Sequence, residues 1–207
     1  MPHTLVELNL SYSVPKKVEN LVSRRLELTR RTLSSLPDVL PWYSLGHNLL
    51  ILKEYEEPMT INIYGAISRV SLCGFRAHNP LFMDIQLWSE QDGAKACVLF
   101  PKCEAASPTV RTEVMYPQRN WDKQTDTIKS RGECFSVYDS TNFDLHPVTG
   151  SAPPLAHPGC LEVGDVVQAL CHLILRADYK SPPSYCLHLE QVNILAVRKD
   201  ELLPGEA

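Results

Sequence analysis

Three stretches of this chain interleave flat aromatic side chains with long-armed cations. Arg69, Phe75, Arg76 and His78 fall together, then Trp88, Lys95, Phe100 and Lys102, then Arg176, Tyr179, Lys180 and Tyr185. Aromatic faces let unpaired bases stack at about 1–3 kcal/mol per base, while Lys and Arg between them follow the phosphates. The combination suits a single-stranded polynucleotide. Ordinary alternatives stand beside it: Trp88 and Phe100 can belong to a core, since aromatics in strands are usually packed, and lone cations decorate any surface. Phe75, Arg76, Tyr179 and Lys180 fall in loop-like sequence that packing explains less well, and they carry the idea. A further group, Tyr116, Arg119, Trp121, Lys123, Lys129 and Arg131, meets two acids, Asp122 and Asp126, and would make a flap, a segment that folds on a partner, or a plain surface loop.

Other chemistries find less support. Cys134, His146, His157 and Cys160 are zinc-ligand types, but their intervals do not match a zinc site and no CxxC pair occurs, so no metal is expected. There is no GxSxG, P-loop, Rossmann glycine pattern, HExxH or zinc-deaminase signature. The chain reads as a non-enzyme with no catalytic residues and no cofactor.

Composition bounds the partner. Of the 207 residues 44 % are hydrophobic and 21 % charged, enough for an ordinary globular core. A formal charge of −4 argues against a generally basic nucleic-acid binder, leaving room only for a local patch. Seven scattered cysteines and the start MPHTLVELNL, which lacks a signal-peptide pattern, point to a soluble protein of a reducing intracellular compartment. No apolar run approaches the ~20 residues of a membrane span, so no membrane association is expected.

Residues 58–101 are the centre of the elements that must hold these groups. Thr60–Val70 sets Ile61, Ile63 and Ile67 on one face, with Gly65 marking a bulge or sharp coil. In 81–88, Leu81, Met83, Ile85 and Leu87 alternate with Phe82, Asp84, Gln86 and Trp88. Gln91-Asp92-Gly93 reads as a turn and Lys95–Phe100 as a third strand. Upstream, 4–12 suits a short edge strand. Ser13-Val14-Pro15 opens a helix over Lys16–Leu33 with a basic outer face, and 47–55 suits a strand. The region 104–160 is polar and without period, holding one strand in 132–140 and a possible second over Val110–Met115. Leu161–Val167 carries a glycine turn whose Asp165 can bond backbone amides, leading into a strand over Val166–Arg176. Tyr185–Val197 ends the set.

Ile-Tyr-Gly-Ala-Ile, DIQLWSE, VLFP and Gly-Asp-Val-Val, in that order, resemble the strand pattern of OB-folds in telomere-end-binding proteins and replication protein A. The resemblance implies a mainly β, five-stranded Greek-key OB-like barrel with an N-terminal helix and a long insertion between the third and fourth strands. Residues 1–57 would form a helical extension packing on the barrel, 58–198 the barrel with its insertion at 104–160, and 199–207 a loose tail. It implies non-catalytic binding of single-stranded DNA (or RNA) as a nuclear replication, telomere or genome-maintenance component, or in a viral replication compartment. The binding residues would be Arg69, Phe75, Arg76, His78, Trp88, Lys95, Lys102, Arg176, Tyr179, Lys180 and Tyr185. The alternative is an OB-fold protein-docking subunit of a larger complex, with the 16–33 helix contacting protein subunits; a β-sandwich structural protein is a third.

Overall fold

The computed structural model describes residues 3–29, 31–46, 49–54, 57–71, 81–114, 135–141, 153–176 and 182–197. Among the described residues, two α-helices, α1 (Lys16–Leu28) and α2 (Glu90–Leu99), accompany ten short to long strands. These are β1 (Trp42–Gly46), β2 (Leu49–Glu54), β3 (Glu57–Pro58), β4 (Thr60–Ser71) and β5 (Phe82–Leu87). After α2 come β6 (Thr109–Glu113), β7 (Ser136–Asp139), β8 (Leu155–Ala156), β9 (Val166–Arg176) and β10 (Ser184–Ala196).

The protein is mainly β, built on one mixed sheet of order β1-β2-β9-β4-β5-β6-β10-β7-β8, with β3 paired to β2 off this path. Part of the path returns on itself, because β10 also pairs with β9. In the ring β4-β5-β6-β10-β9, neighbours run antiparallel except for the parallel pair β6–β10.

Alternating apolar residues fill that ring. Ile61, Ile63 and Ile67 of β4, Met83, Ile85 and Leu87 of β5, Val110 of β6, Val167, Ala169, Cys171 and Leu173 of β9, and Leu187 and Leu189 of β10 all belong to one buried cluster. Side chains alternate across a strand, so keeping an apolar face inward through a strong curve requires breaks in register. The β10 register shifts between Leu189 and Gln191, after which Val192 and Ile194 take up the inward face. β4 shifts between Ile67 and Arg69, and the intervening Ser68 donates to the Asp84 carbonyl at 3.1 Å. The irregularity expected at Gly65 is therefore at Ser68. Gly65 instead marks close approach: a side chain there would meet the Gln86 carbonyl oxygen of β5.

The strand expected over Lys95–Phe100 is helix. Ser89 Oγ accepts the Asp92 amide at 3.2 Å, and Glu90 and Asp92 occupy the first turn, where carboxylates favour the positive end of a helix. Gln91-Asp92-Gly93 is that first turn, and the third strand of the ring is β6. The glycine turn before β9 forms as expected: Gly164 has φ 99° and Asp165 Oδ2 accepts the Glu162 amide at 2.9 Å.

Helix α1 starts directly after Pro15 with no side-chain cap, and stops at Leu28, short of the expected Leu33. Thr32 and Ser35 exchange side-chain-to-backbone hydrogen bonds at 2.9 and 2.7 Å, offering the backbone an alternative to the helix. Leu33 and Leu36 then drop into the main core. Val18, Val22 and Leu26 of α1 form a second core with Tyr64, Trp88, Val166 and Leu195, outside the ring. The N-terminal stretch does not form an edge strand. It makes a single bridge, Leu5 to Ser89, and Val6 donates to the Trp88 carbonyl at 2.9 Å. Strands β1 and β2 join the sheet through β2, which pairs with β9.

Candidate nucleic-acid interface

The outward residues of β5 are Phe82, Asp84 and Gln86, and they divide the outer wall in two. At one end Gln86 Oε1 accepts the Asn9 amide at 3.0 Å, and beyond it Trp88 is covered by α1 and the N-terminal stretch. The other end, around Phe82 and Asp84, carries the side chains of three neighbouring strands. Register sets Phe82 opposite Glu113 and Asp84 opposite Arg111 of β6, with Arg69 of β4 opposite Asp84 on the other side.

Arg111 grips Asp84 with two donors, Nε to Oδ1 at 2.7 Å and Nη2 to Oδ2 at 2.9 Å. Its guanidinium carbon lies 4.1 Å from the Phe82 ring centroid, and that of Arg69 lies 5.6 Å from the same ring. Arg69 reaches Asp84 only at 3.9 Å and its side chain is 68 % exposed, whereas that of Arg111 is 45 % exposed. A two-donor pair has a defined geometry that a single exposed contact lacks. The hydrogen bond to Asp84 is also what pushes the Arg111 pKa above its ordinary value. Arg176 Nη2 donates to Glu113 Oε2 at 2.7 Å, which joins the end of β9 to this surface. The described patch thus sets Arg69, Arg111 and Arg176 against Asp84 and Glu113, one positive charge in excess.

The strand ends at this rim are Ser71 and Phe82 on one side and Arg176 and Ser184 on the other, tied together through Glu113. Of the residues expected to bind, Arg69 and Arg176 are here. Phe75, Arg76, His78, Tyr179 and Lys180 lie outside the described residues, as do the aromatic-basic group from Tyr116 to Arg131 and the ligand candidates Cys134 and His146.

The four other expected residues are elsewhere. Trp88 is 3 % exposed within the α1 core, so no base can reach its ring. Lys95 stands on α2 with Nζ 3.3 Å from Asp38, and exposed Lys102 follows α2; both belong to the connection between the end of β5 and the start of β6, away from Phe82 and Glu113. Tyr185 is half-buried, stacked on Trp42 with centroids 5.8 Å apart. Phe100 packs against the main core.

Phe82 and Arg111 escaped the sequence reading. The alternation in 81–88 already puts Phe82 on the same face as Asp84; Arg111 lies on the strand expected over Val110–Met115, but the third strand of the barrel is expected fourteen residues earlier, from Lys95 rather than Thr109, so nothing in the sequence sets Arg111 beside Asp84. His157 Nδ1 accepts the Gly159 amide at 3.0 Å, capping a short turn, and among the described residues no group of three potential metal ligands comes together. Comparison with known proteins found no family model, curated protein or solved structure that matches this chain.

Proposed function

We propose that the ring β4-β5-β6-β10-β9 is a five-stranded Greek-key barrel of the OB type, and that the chain uses it to bind single-stranded nucleic acid, DNA in preference, without catalysis. What supports the barrel is the pairing order: antiparallel throughout except where the third and fifth strands of the ring run parallel. OB barrels take oligonucleotides across the outer face of their second and third strands, between the first and last inter-strand loops. In this chain those strands are β5 and β6.

The observation that carries the functional reading is the Phe82 ring with the Arg69 and Arg111 guanidiniums over it, on the half of that face that neither α1 nor the N-terminal stretch covers. An aromatic ring and two cations together meet the needs of a base and its phosphate. The overall charge of −4 makes long-range attraction weak, so binding depends on this local arrangement. A role in replication, telomere or genome maintenance, in the nucleus, follows from the same reading.

The test is fluorescence anisotropy with a labelled oligothymidylate across a salt series. Binding that weakens steeply with salt, and that double-stranded competitor does not relieve, is expected. Absence of binding at about 20 mM salt, where phosphate contacts are strongest, would remove the proposal and leave a protein-docking barrel.

A further inference from the structure

Arg111 differs from an ordinary surface arginine in having one face and one edge of its guanidinium engaged. The guanidinium lies over the Phe82 ring, its central carbon 4.1 Å from the ring centroid. One edge, Nε and Nη2, is clipped to both oxygens of Asp84 at 2.7 and 2.9 Å. Asp84 is itself nearly buried and cannot swing away from the pair. The Arg111 side chain is 45 % exposed, and neither the Phe82 ring nor Asp84 occupies the second face or the Nη1 edge of the guanidinium. A guanidinium carries five N–H donors, so the two bonds to Asp84 leave three for another acceptor. Arg69 lacks this restraint: it is 68 % exposed and only 3.9 Å from Asp84.

Resting on the single-strand reading above, we infer that Arg111 is a stacking platform on which one unpaired base lies, and that Asp84 is a positioning residue that holds the platform flat. A guanidinium plane accepts an unstacked base as an aromatic ring does. Holding it in place beforehand removes the side-chain ordering cost that a free arginine bears on binding. The inference assigns Arg69 a different task, a mobile phosphate contact. It also gives a reason for an acidic side chain in the middle of a wall meant for a polyanion: the carboxylate gives up some attraction for phosphate and gains a fixed plane for a base.

Two substitutions and two probes test this on the full chain. Arg111→Lys keeps the charge and loses the plane; Asp84→Asn keeps the shape and loses the clip. The probes are a fluorescent oligothymidylate and an abasic deoxyribose-phosphate oligomer of equal length, with thermal melts confirming that each variant folds. Arg111→Lys is expected to weaken oligothymidylate binding about five- to tenfold while leaving the abasic oligomer unchanged. Asp84→Asn is expected to weaken oligothymidylate binding as well, although it makes the protein one charge more positive. An Arg111→Lys variant that binds oligothymidylate as the wild type does, or that loses both probes equally, overturns the stacking role. Tighter binding by Asp84→Asn overturns the positioning role. If the wild type binds neither probe, the functional reading fails first, a result distinct from either of these.

Discussion

Arg176 Nη2 donates to Glu113 Oε2 at 2.7 Å, fastening the last residue of β9 to the last residue of β6 across the intervening β10. The contact occupies a cation that the sequence alone would assign to phosphate. Both side chains are partly exposed, at 42 % and 26 %, so the pair contributes less to stability than to the charge available at the rim. Glu113→Gln should therefore change stability by no more than about 1 kcal/mol. It should release Arg176 toward the ligand, tightening oligothymidylate binding and steepening the slope of log K against log salt by about 0.7, the value for one further phosphate on a single strand. A salt series on the variant checks this; a slope equal to the wild type's would mean that Arg176 makes no phosphate contact even when freed.

Gly65 tests the curvature that brings the rim together. At this point β4 passes from pairing with β9 to pairing with β5, and a Cβ would run into the Gln86 carbonyl oxygen and sit 2.7 Å from Ile85 Cγ2. Backbone cannot yield as a flexible side chain can. Gly65→Ala should cost about 3 kcal/mol, read as a fall in the urea midpoint without a change in m-value. Full stability in the variant would show that the two strands can separate there at little cost.

Much of this arrangement was legible because burial on one side of a strand writes a period of two. Ile61, Ile63 and Ile67 announced β4, Leu81 to Leu87 announced β5, and Gly164 with Asp165 announced the start of β9. Helix α2 was not legible from apolar alternation: its buried face is small and includes Asp92, Gly93 and Ala96, and its start is fixed by the Ser89 hydroxyl rather than by an apolar stripe. With α2 in place of a strand at Lys95–Phe100, the third strand of the ring is the one expected over Val110–Met115, and this brings Arg111 beside Asp84. Trp88 misled for a different reason. Strand parity puts it on the outer wall, but a separate element, α1, covers that part of the wall, and parity says nothing about what packs outside.

Trp88 therefore separates packing from recognition. It shares the outer core with Val22 and Leu26 of α1, both essentially unexposed. Trp88→Phe should lower stability by about 1–2 kcal/mol through lost packing. It should leave oligothymidylate affinity unchanged under conditions where the variant is fully folded. Paired melts and anisotropy titrations give the two readouts, and a loss of affinity in the folded variant would place the ligand over α1 rather than over Phe82.

His188 links the same rim to pH. It faces His172 directly across the β9–β10 pair, ring centroids 6.4 Å apart, while His172 Nε2 lies 2.8 Å from Glu190 Oε1. Burial pushes the His188 pKa below 6.5; Glu190 and a hydrogen bond to the Glu113 backbone push the other way, and His172 pushes down again. The net shift is downward, so the folded protein holds this proton less firmly than the unfolded chain does. Stability from His188 is then fully present above pH 6.5 and is lost as pH falls through the depressed folded value, with a slope no steeper than about 1.4 kcal/mol per pH unit for one proton. Asp92 and Asp165, whose carboxyls burial raises above 3.8, act with the opposite sign: their contribution favours the fold at low pH and fades as pH rises through their folded values. The comparison must therefore be a difference between proteins. Urea midpoints of wild type and His188→Gln, measured from pH 7.5 down to pH 5.0, should converge or cross on acidification, because the variant has no proton to take up at this position. Parallel pH profiles would show that His188 titrates alike in the folded and unfolded chain, and that the His172–His188 contact imposes no acid penalty on the rim.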